Sequence, residues 1–270
     1  MNESAPIPGT GRDRPGATAG LFRGVGVALV TIFGDDGETD PGATGKLAAD
    51  LVARGMQAVL VNGSTGEAAT LTGPERVALI EAVRGAVPPG TPVIAGTGAP
   101  SARQAAALTA DAAAAGADVM LAFPPPGSRD LTGYYGAVTG AAGGRPVLAY
   151  HFPRVSTPGV PVAALAGLPV AGVKDSSGDP DRLLDELAHY RGATYVGSSA
   201  MLALAGPMGA AGAILALANV EPERCMAAFA GDAAAQLALA DRHLAARQGG
   251  PAELKKMLAA DTGLPAVSRQ

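Results

Sequence analysis

Short apolar segments recur along this chain at intervals of roughly 20 to 35 residues, with helix-patterned stretches between them. They cover residues 25–31, 58–62, 92–96, 118–122, 146–151, 170–174, 194–197 and 212–215. Most are continuous apolar runs with little alternation, the pattern of parallel strands covered on both faces. The intervening spacing predicts helices over 44–53, 74–87, 101–115, 130–140, 162–168, 179–189 and 200–208. Pro74 before Glu75 suits a helix start, and Gly116 a stop. Eight strands alternating with helices predict an α/β fold, a (β/α)8 barrel. A doubly wound open sheet gives the same repetition. Against it, no GxGxxG fingerprint follows the first segment, and the informative polar residues lie after several different strands. The expected organisation is a disordered tail over 1–21, a barrel over 22–220 and a C-terminal helical region over 221–270. That last region reads as a helical pair over 222–247 and a short helix over 251–260, with 263–270 loosely held.

Composition narrows the function classes. A chain of 270 residues, 48% of them apolar, can bury one large core. A net charge of -4 gives no field directed at nucleic acid or an anionic membrane. The single cysteine, Cys225, excludes an internal disulfide and suits a reducing compartment. Residues 1–19 lack the apolar core of a secretory signal. No apolar run reaches membrane-spanning length. These features predict a cytoplasmic protein with small-molecule partners.

Lys174 is where the chemistry concentrates. It is one of four lysines and ends the apolar run before Asp175-Ser176-Ser177-Gly178. At a barrel strand end it faces the mouth where reactions occur. Desolvation of an amine favours the neutral form that attacks carbonyl carbons. Tyr150 ends the preceding strand and can shuttle protons for such an amine. After the second strand, Asn62-Gly63-Ser64-Thr65-Gly66-Glu67 offers hydroxyls and N–H groups on a tight turn that can hold a carboxylate. Thr65 is placed to bond the Tyr150 phenol, and Glu67 to tie the loop to a neighbour. Arg154 is a candidate for a second substrate carboxylate or for hydroxyls. His151, on the opposite side of its strand, reads as packing, and Asp179 before Pro180 as a helix cap. The histidines His151, His189 and His243 have no ligand spacing, so no metal site is expected. No cluster of basic residues marks a sugar-phosphate substrate.

Several motifs together resemble the dihydrodipicolinate synthase and N-acetylneuraminate lyase family of class I aldolases. They are Gly63-Ser64-Thr65-Gly66-Glu67, Ala95-Gly96-Thr97-Gly98, Tyr150 with Pro153, Val173-Lys174-Asp175, and residues 212–219. The resemblance runs from about Phe22 to Val220 and weakly beyond. It implies a (β/α)8 barrel in which Lys174 forms a Schiff base with pyruvate or another 2-oxo acid and Tyr150 is the general acid/base. Ser64 and Thr65 would bind the carboxylate and help relay the proton. Gly63, Gly197 and Ile214 complete the implied substrate-binding set. No cofactor is implied beyond the covalent imine, and homo-oligomers, tetramers or dimers, are expected.

Two departures bear on the branch. Pro124, Pro125 and Pro126 stand where synthase-type members resemble Tyr-Tyr, and Arg154 comes one residue early after Pro153. They point toward aldolases of 2-keto-3-deoxy sugar acids or 4-hydroxy-2-oxoglutarate. Condensation of pyruvate with aspartate semialdehyde and sugar-acid dehydration are the alternatives, and a non-enzymatic binding protein is the remaining one.

Overall fold

In the computed structural model, which describes residues 21–270, the eight apolar segments form parallel strands that close on themselves in chain order. The strands are β1 (Gly24–Ala28), β2 (Val59–Val61), β3 (Val93–Gly96), β4 (Val119–Ala122), β5 (Val147–His151), β6 (Gly172–Asp175), β7 (Ala193–Val196) and β8 (Gly212–Leu215). Pairing of β1 with β8 seals the barrel, with Gly26 opposite Ile214. The open-sheet alternative is thereby excluded. The expected tail over 1–21 falls, apart from Leu21, outside the described residues.

Helices α1 (Pro41–Ala53), α2 (Gly73–Ala86), α3 (Ala102–Ala114), α4 (Leu131–Ala141) and α6 (Pro180–His189) form much of the outer layer. Their starts are written locally. Asp40, Ser101, Asp130 and Asp179 each accept from N–H groups of the first turn. Thr72 and Glu75 form a reciprocal capping box at α2. Such caps each contribute about 1 kcal/mol. Two helices are shorter than their spacing predicts. The fifth, α5, covers only Val162–Leu165, because Gly167 and Pro169 break the stretch. The seventh, α7, covers Leu202–Ala205 after a 3-10 turn at Ser199–Met201, and Gly206-Pro207 ends it.

Pleating divides the apolar side chains into two cores. Leu60, Ile94, Leu121, Leu148, Tyr150 and Ile214 point into the barrel. Their neighbours Val59, Val61, Ala149, Val173, Ala213 and Leu215 pack outward against the helices. Phe22 closes the barrel's lower interior by stacking on Tyr195 at 4.8 Å between ring centroids, and its carbonyl accepts the Tyr195 hydroxyl at 2.7 Å.

The C-terminal region differs from expectation. The helical pair over 222–247 is instead α8 (Pro222–Phe229), α9 (Ala233–Ala238) and the first part of α10 (Ala240–Thr262). Gly231, at φ 104°, separates α8 from α9. The expected short helix over 251–260 is the second part of α10, set off by Gly250 at φ 62°. The ending is not loosely held. Glu67 Oε2 accepts from Ser268 Oγ, Arg269 N and Gln270 N at 2.8, 2.8 and 3.1 Å. Lys255, fully buried, donates to Glu67 Oε1 at 2.5 Å and to the Val267 carbonyl at 2.7 Å. The Arg269 guanidinium pairs with Glu75 at 2.7 Å and lies over the Phe33 ring at 4.6 Å. It holds the Glu75 carboxyl near pH 2, and the buried carboxylate of Glu67 gives the tail's N–H groups an acceptor that water would otherwise supply.

Candidate active site

Alternation along β5 and β6 turns Tyr150 and Lys174 inward, and the ladder pairs them directly. Both are buried, at 5% and 4% exposure, so neither is a strand-end side chain reaching for solvent. Lys174 Nζ lies 3.5 Å from the Tyr150 hydroxyl and 4.5 Å from its ring centroid. The Ser176 hydroxyl donates to the same phenol oxygen at 3.3 Å. Phe152 stacks on the ring at 5.6 Å and Phe123 tilts against it at 6.2 Å. The result is a hydrogen-bonded cluster, with Nζ and the Ser176 hydroxyl both on the phenol oxygen, in an aromatic setting. Ser176 follows β6 directly, and its role was not legible in the sequence. A side chain at Gly197 would overlap Ser176 Oγ, so that glycine permits the approach of β7's end to the turn.

A cavity of about 1080 Å³ opens here. Gly63, Ser64, Thr65, Arg154, Gly197 and Ile214, all expected at the site, line it together with Tyr150 and Lys174. Within the loop after β2, the N–H groups of Gly66, Glu67 and Ala68 close on the carbonyls of Gly63 and Ser64. Those of Ser64 and Thr65 have no protein acceptor among the described residues. The loop holds two non-glycine residues in the left-handed region, Asn62 at φ 56° and Glu67 at φ 55°. Such strain persists where surrounding contacts over-determine it, and the Glu67–Lys255 pair supplies them. Thr65 lines the cavity, while the phenol's hydrogen bonds come from Lys174 and Ser176. Arg154 is exposed at the rim.

The outward-facing neighbours anchor these strand ends. Asp175 accepts from Ser177 N at 2.7 Å and lies 3.5 Å from Arg182, which also pairs with Glu186 at 2.9 Å. Burial, then the charge of Asp175, pushes the Glu186 carboxyl up to about 8. His151 packs behind the barrel and accepts from Val160 N at 3.0 Å. Burial, then the positive charge of Arg182, lowers its pKa from 6.5 to about 4. A depressed folded-state value means that stability is complete above pH 6.5 and is lost as pH falls through 4. The shift corresponds to about 3 kcal/mol. His151→Asn keeps an acceptor for Val160 and should flatten this slope, so that melting temperatures at pH 7 and pH 4.5 differ less than in the parent.

Some lining residues carried no local signal. Arg76 on α2 donates to the carbonyls of Ala68, Leu71 and Gly96, binding the second and third strand-end loops together. His243, Arg247 and Gly250 reach the cavity from α10, and Gln270 from the tail. No nearby spacing announces residues brought in from so far along the chain.

The chain is thus a closed parallel barrel that carries a buried lysine paired to a tyrosine at the carboxyl ends of its strands. The chain belongs to the dihydrodipicolinate synthetase family, whose model matches residues 21–250. It is 34% identical over 236 residues to the 4-hydroxy-tetrahydrodipicolinate synthase of Pseudomonas aeruginosa, covering 82% of this chain and 80% of that one. It is 37% identical over 197 residues to the synthase of Synechococcus strain CC9311, covering 69% of this chain and 64% of that protein. The match to the synthase of Synechococcus strain WH7803 spans only 43% of that protein's length. A dihydrodipicolinate synthase from Acinetobacter baumannii, solved in complex with pyruvate, superposes with a TM-score of 0.83 at 26% identity over 92% of each chain. No helix among the described residues is long and apolar enough to cross a membrane.

Proposed function

We propose that this protein is a class I lyase that binds pyruvate as an imine on Lys174 and makes or breaks a carbon–carbon bond to an aldehyde. The observation that carries this reading is the buried Lys174 amine beside the Tyr150 phenol, on one cavity with Ser64 and Thr65. The amine attacks C2 of pyruvate, and the Tyr150 hydroxyl protonates the departing hydroxyl so that water leaves. The protonated imine withdraws electrons and acidifies C3, giving an enamine. Enamine C3 attacks the aldehyde carbon, the aldehyde oxygen takes a proton, and hydrolysis returns the amine. Ser64 and Thr65 hold the pyruvate carboxylate, and Ser176 exchanges the phenol proton. The Ile214 side chain, with Gly63 and Gly197, bounds the site.

Condensation of pyruvate with aspartate semialdehyde is the better supported reaction, since the relatives above are named synthases of this kind. Cleavage of a 4-hydroxy-2-oxo acid, which the sequence departures favour, is the second reading. The cavity-lining Pro125 and Pro126 support it, where no phenol stands in the loop after β4. Turnover of aspartate semialdehyde with pyruvate, measured against cleavage of 4-hydroxy-2-oxoglutarate and 2-keto-3-deoxy sugar acids, decides between them. Product from the semialdehyde alone supports the synthase, and cleavage alone overturns it. Tyr150→Phe keeps the ring stack and should lower kcat by about 10²- to 10⁴-fold, with a smaller change in KM. Assembly as dimers or tetramers belongs to the same proposal, and light scattering tests it.

A further inference from the structure

Behind β6, on the side away from the cavity, lie three buried charges that the imine chemistry does not touch. The Asp175 and Glu186 side chains are 3% and 0% exposed, and Arg182 between them is 12% exposed. None of the three lines the cavity. Arg182 reaches from α6 to both carboxylates, 2.9 Å from Glu186 and 3.5 Å from Asp175. The helix does not need this side chain to start, because Asp179 accepts from the N–H groups of Asp181 and Arg182 at 2.9 and 3.3 Å. A buried ion triad adds little net stability over apolar side chains of the same volume. It does supply direction, since a guanidinium fork fixes where its carboxylates sit.

A continuous route leads from that fork to the phenol. Asp175 Oδ1 accepts from Ser177 N at 2.7 Å, and Oδ2 accepts from the Ser177 hydroxyl at 3.0 Å. The Ser177 hydroxyl oxygen in turn accepts from Asp179 N at 3.1 Å. With Gly178 at φ 73°, these bonds fold residues 175–179 into a tight turn. Ser176 lies inside it, its N–H on the His151 carbonyl at 2.9 Å and its hydroxyl on the Tyr150 phenol at 3.3 Å. Arg182 is the one cation paired with Asp175 among the described residues. His151, opposite Asp175 on β5, is kept neutral by burial. Without Arg182 the buried carboxylate would turn toward water or take a proton, and either change slackens its hold on Ser177. We propose that Arg182 is a positioning residue for proton transfer: through Asp175 and the Ser177 turn, it holds the Ser176 hydroxyl on the Tyr150 phenol. Tyr150 acts here as the acid and base of imine formation on Lys174, the reading on which this role rests. When the phenol gives up its proton, the Ser176 O–H donates to a phenolate, a charge-assisted bond that depends on this placement.

Exchange of the C3 hydrogens of pyruvate for deuterium, followed by proton NMR in heavy water, reads imine and enamine formation without an aldehyde. Ser176→Ala should lower the saturated exchange rate by about ten- to a hundredfold, the range of a charge-assisted hydrogen bond. Arg182→Met should lower it by about tenfold or more, with half-saturating pyruvate within about threefold of the parent. Arg182→Lys should recover part of the rate. The double variant of Ser176→Ala with Arg182→Met decides the matter. Its rate should lie within about threefold of Ser176→Ala alone, since Arg182 then has no hydroxyl to place. An arginine that only stabilises the fold would multiply the two losses. Multiplied losses, or an Arg182→Met rate within about threefold of the parent, overturn the role. Should Arg182→Met not fold, Arg182→Met with Glu186→Gln strands one charge fewer and enters the same cycle under the same two criteria. Borohydride trapping of pyruvate on Lys174 reads the imine separately and should go to completion in every variant. A normal adduct with multiplied losses overturns the role of Arg182 alone. Absence of both exchange and adduct in the parent overturns the imine reading and this role with it.

Discussion

Lys255→Met should lower stability by about 3–5 kcal/mol, the cost of stranding one member of a buried ion pair. Both Lys255 and Glu67 have fully buried side chains, so water cannot take over the lost contact. The ammonium also bonds the Val267 carbonyl and lies 4.0 Å over the Phe33 ring. Methionine fills much of the volume but leaves Glu67 with only Ser268, Arg269 and Gln270 as partners. For a chain of this size the loss corresponds to a melting temperature lower by on the order of 10 °C. The double change Glu67→Gln with Lys255→Met should recover part of it, because no charge is then stranded and the amide oxygen still accepts from the tail. A melting temperature within about 2 °C of the parent in Lys255→Met would contradict the description of this pair. The effect should reach the site, since Glu67 stands two residues from Thr65 and holds a left-handed backbone. A higher pyruvate KM in Lys255→Met is the accompanying expectation.

Lys174→Ala should abolish turnover, with kcat reduced by at least about 10⁴-fold, as when other covalent nucleophiles are removed. Lys174→Arg is the sharper variant. It keeps a positive charge at the same strand position, but a guanidinium is always protonated and forms no imine. Both should fold, because the residue faces a cavity rather than a packed neighbour on every side. Steady-state kinetics with pyruvate and the preferred aldehyde read the effect. Activity in Lys174→Arg within tenfold of the parent would mean that the lysine acts by charge, and the covalent reading would fail.

The barrel was legible because parallel strands buried on both faces must be apolar throughout, and that signature survives without any long-range information. Lys174 and Tyr150 were legible for a related reason, as polar groups at the ends of strands with nothing polar to satisfy them locally. The helices α5 and α7 were overextended where Gly167, Pro169 and Pro207 outweigh a favourable apolar spacing. What stayed hidden depends on contacts between distant segments. Glu67 meets Lys255 across 188 residues and Arg269 across 202. A short polar tail carries no pattern announcing that its N–H groups will find a buried carboxylate. Arg247 and His243 look like ordinary residues of an exposed helix until the Gly250 bend sets that helix against the barrel mouth.

Borohydride reduction in the presence of pyruvate, followed by intact-protein and peptide mass spectrometry, tests the central claim most directly. A single stable pyruvyl adduct should appear on the peptide containing Lys174 and be missing in Lys174→Ala. An adduct on Lys46, Lys255 or Lys256 instead, or no adduct on folded protein, would contradict imine formation at Lys174.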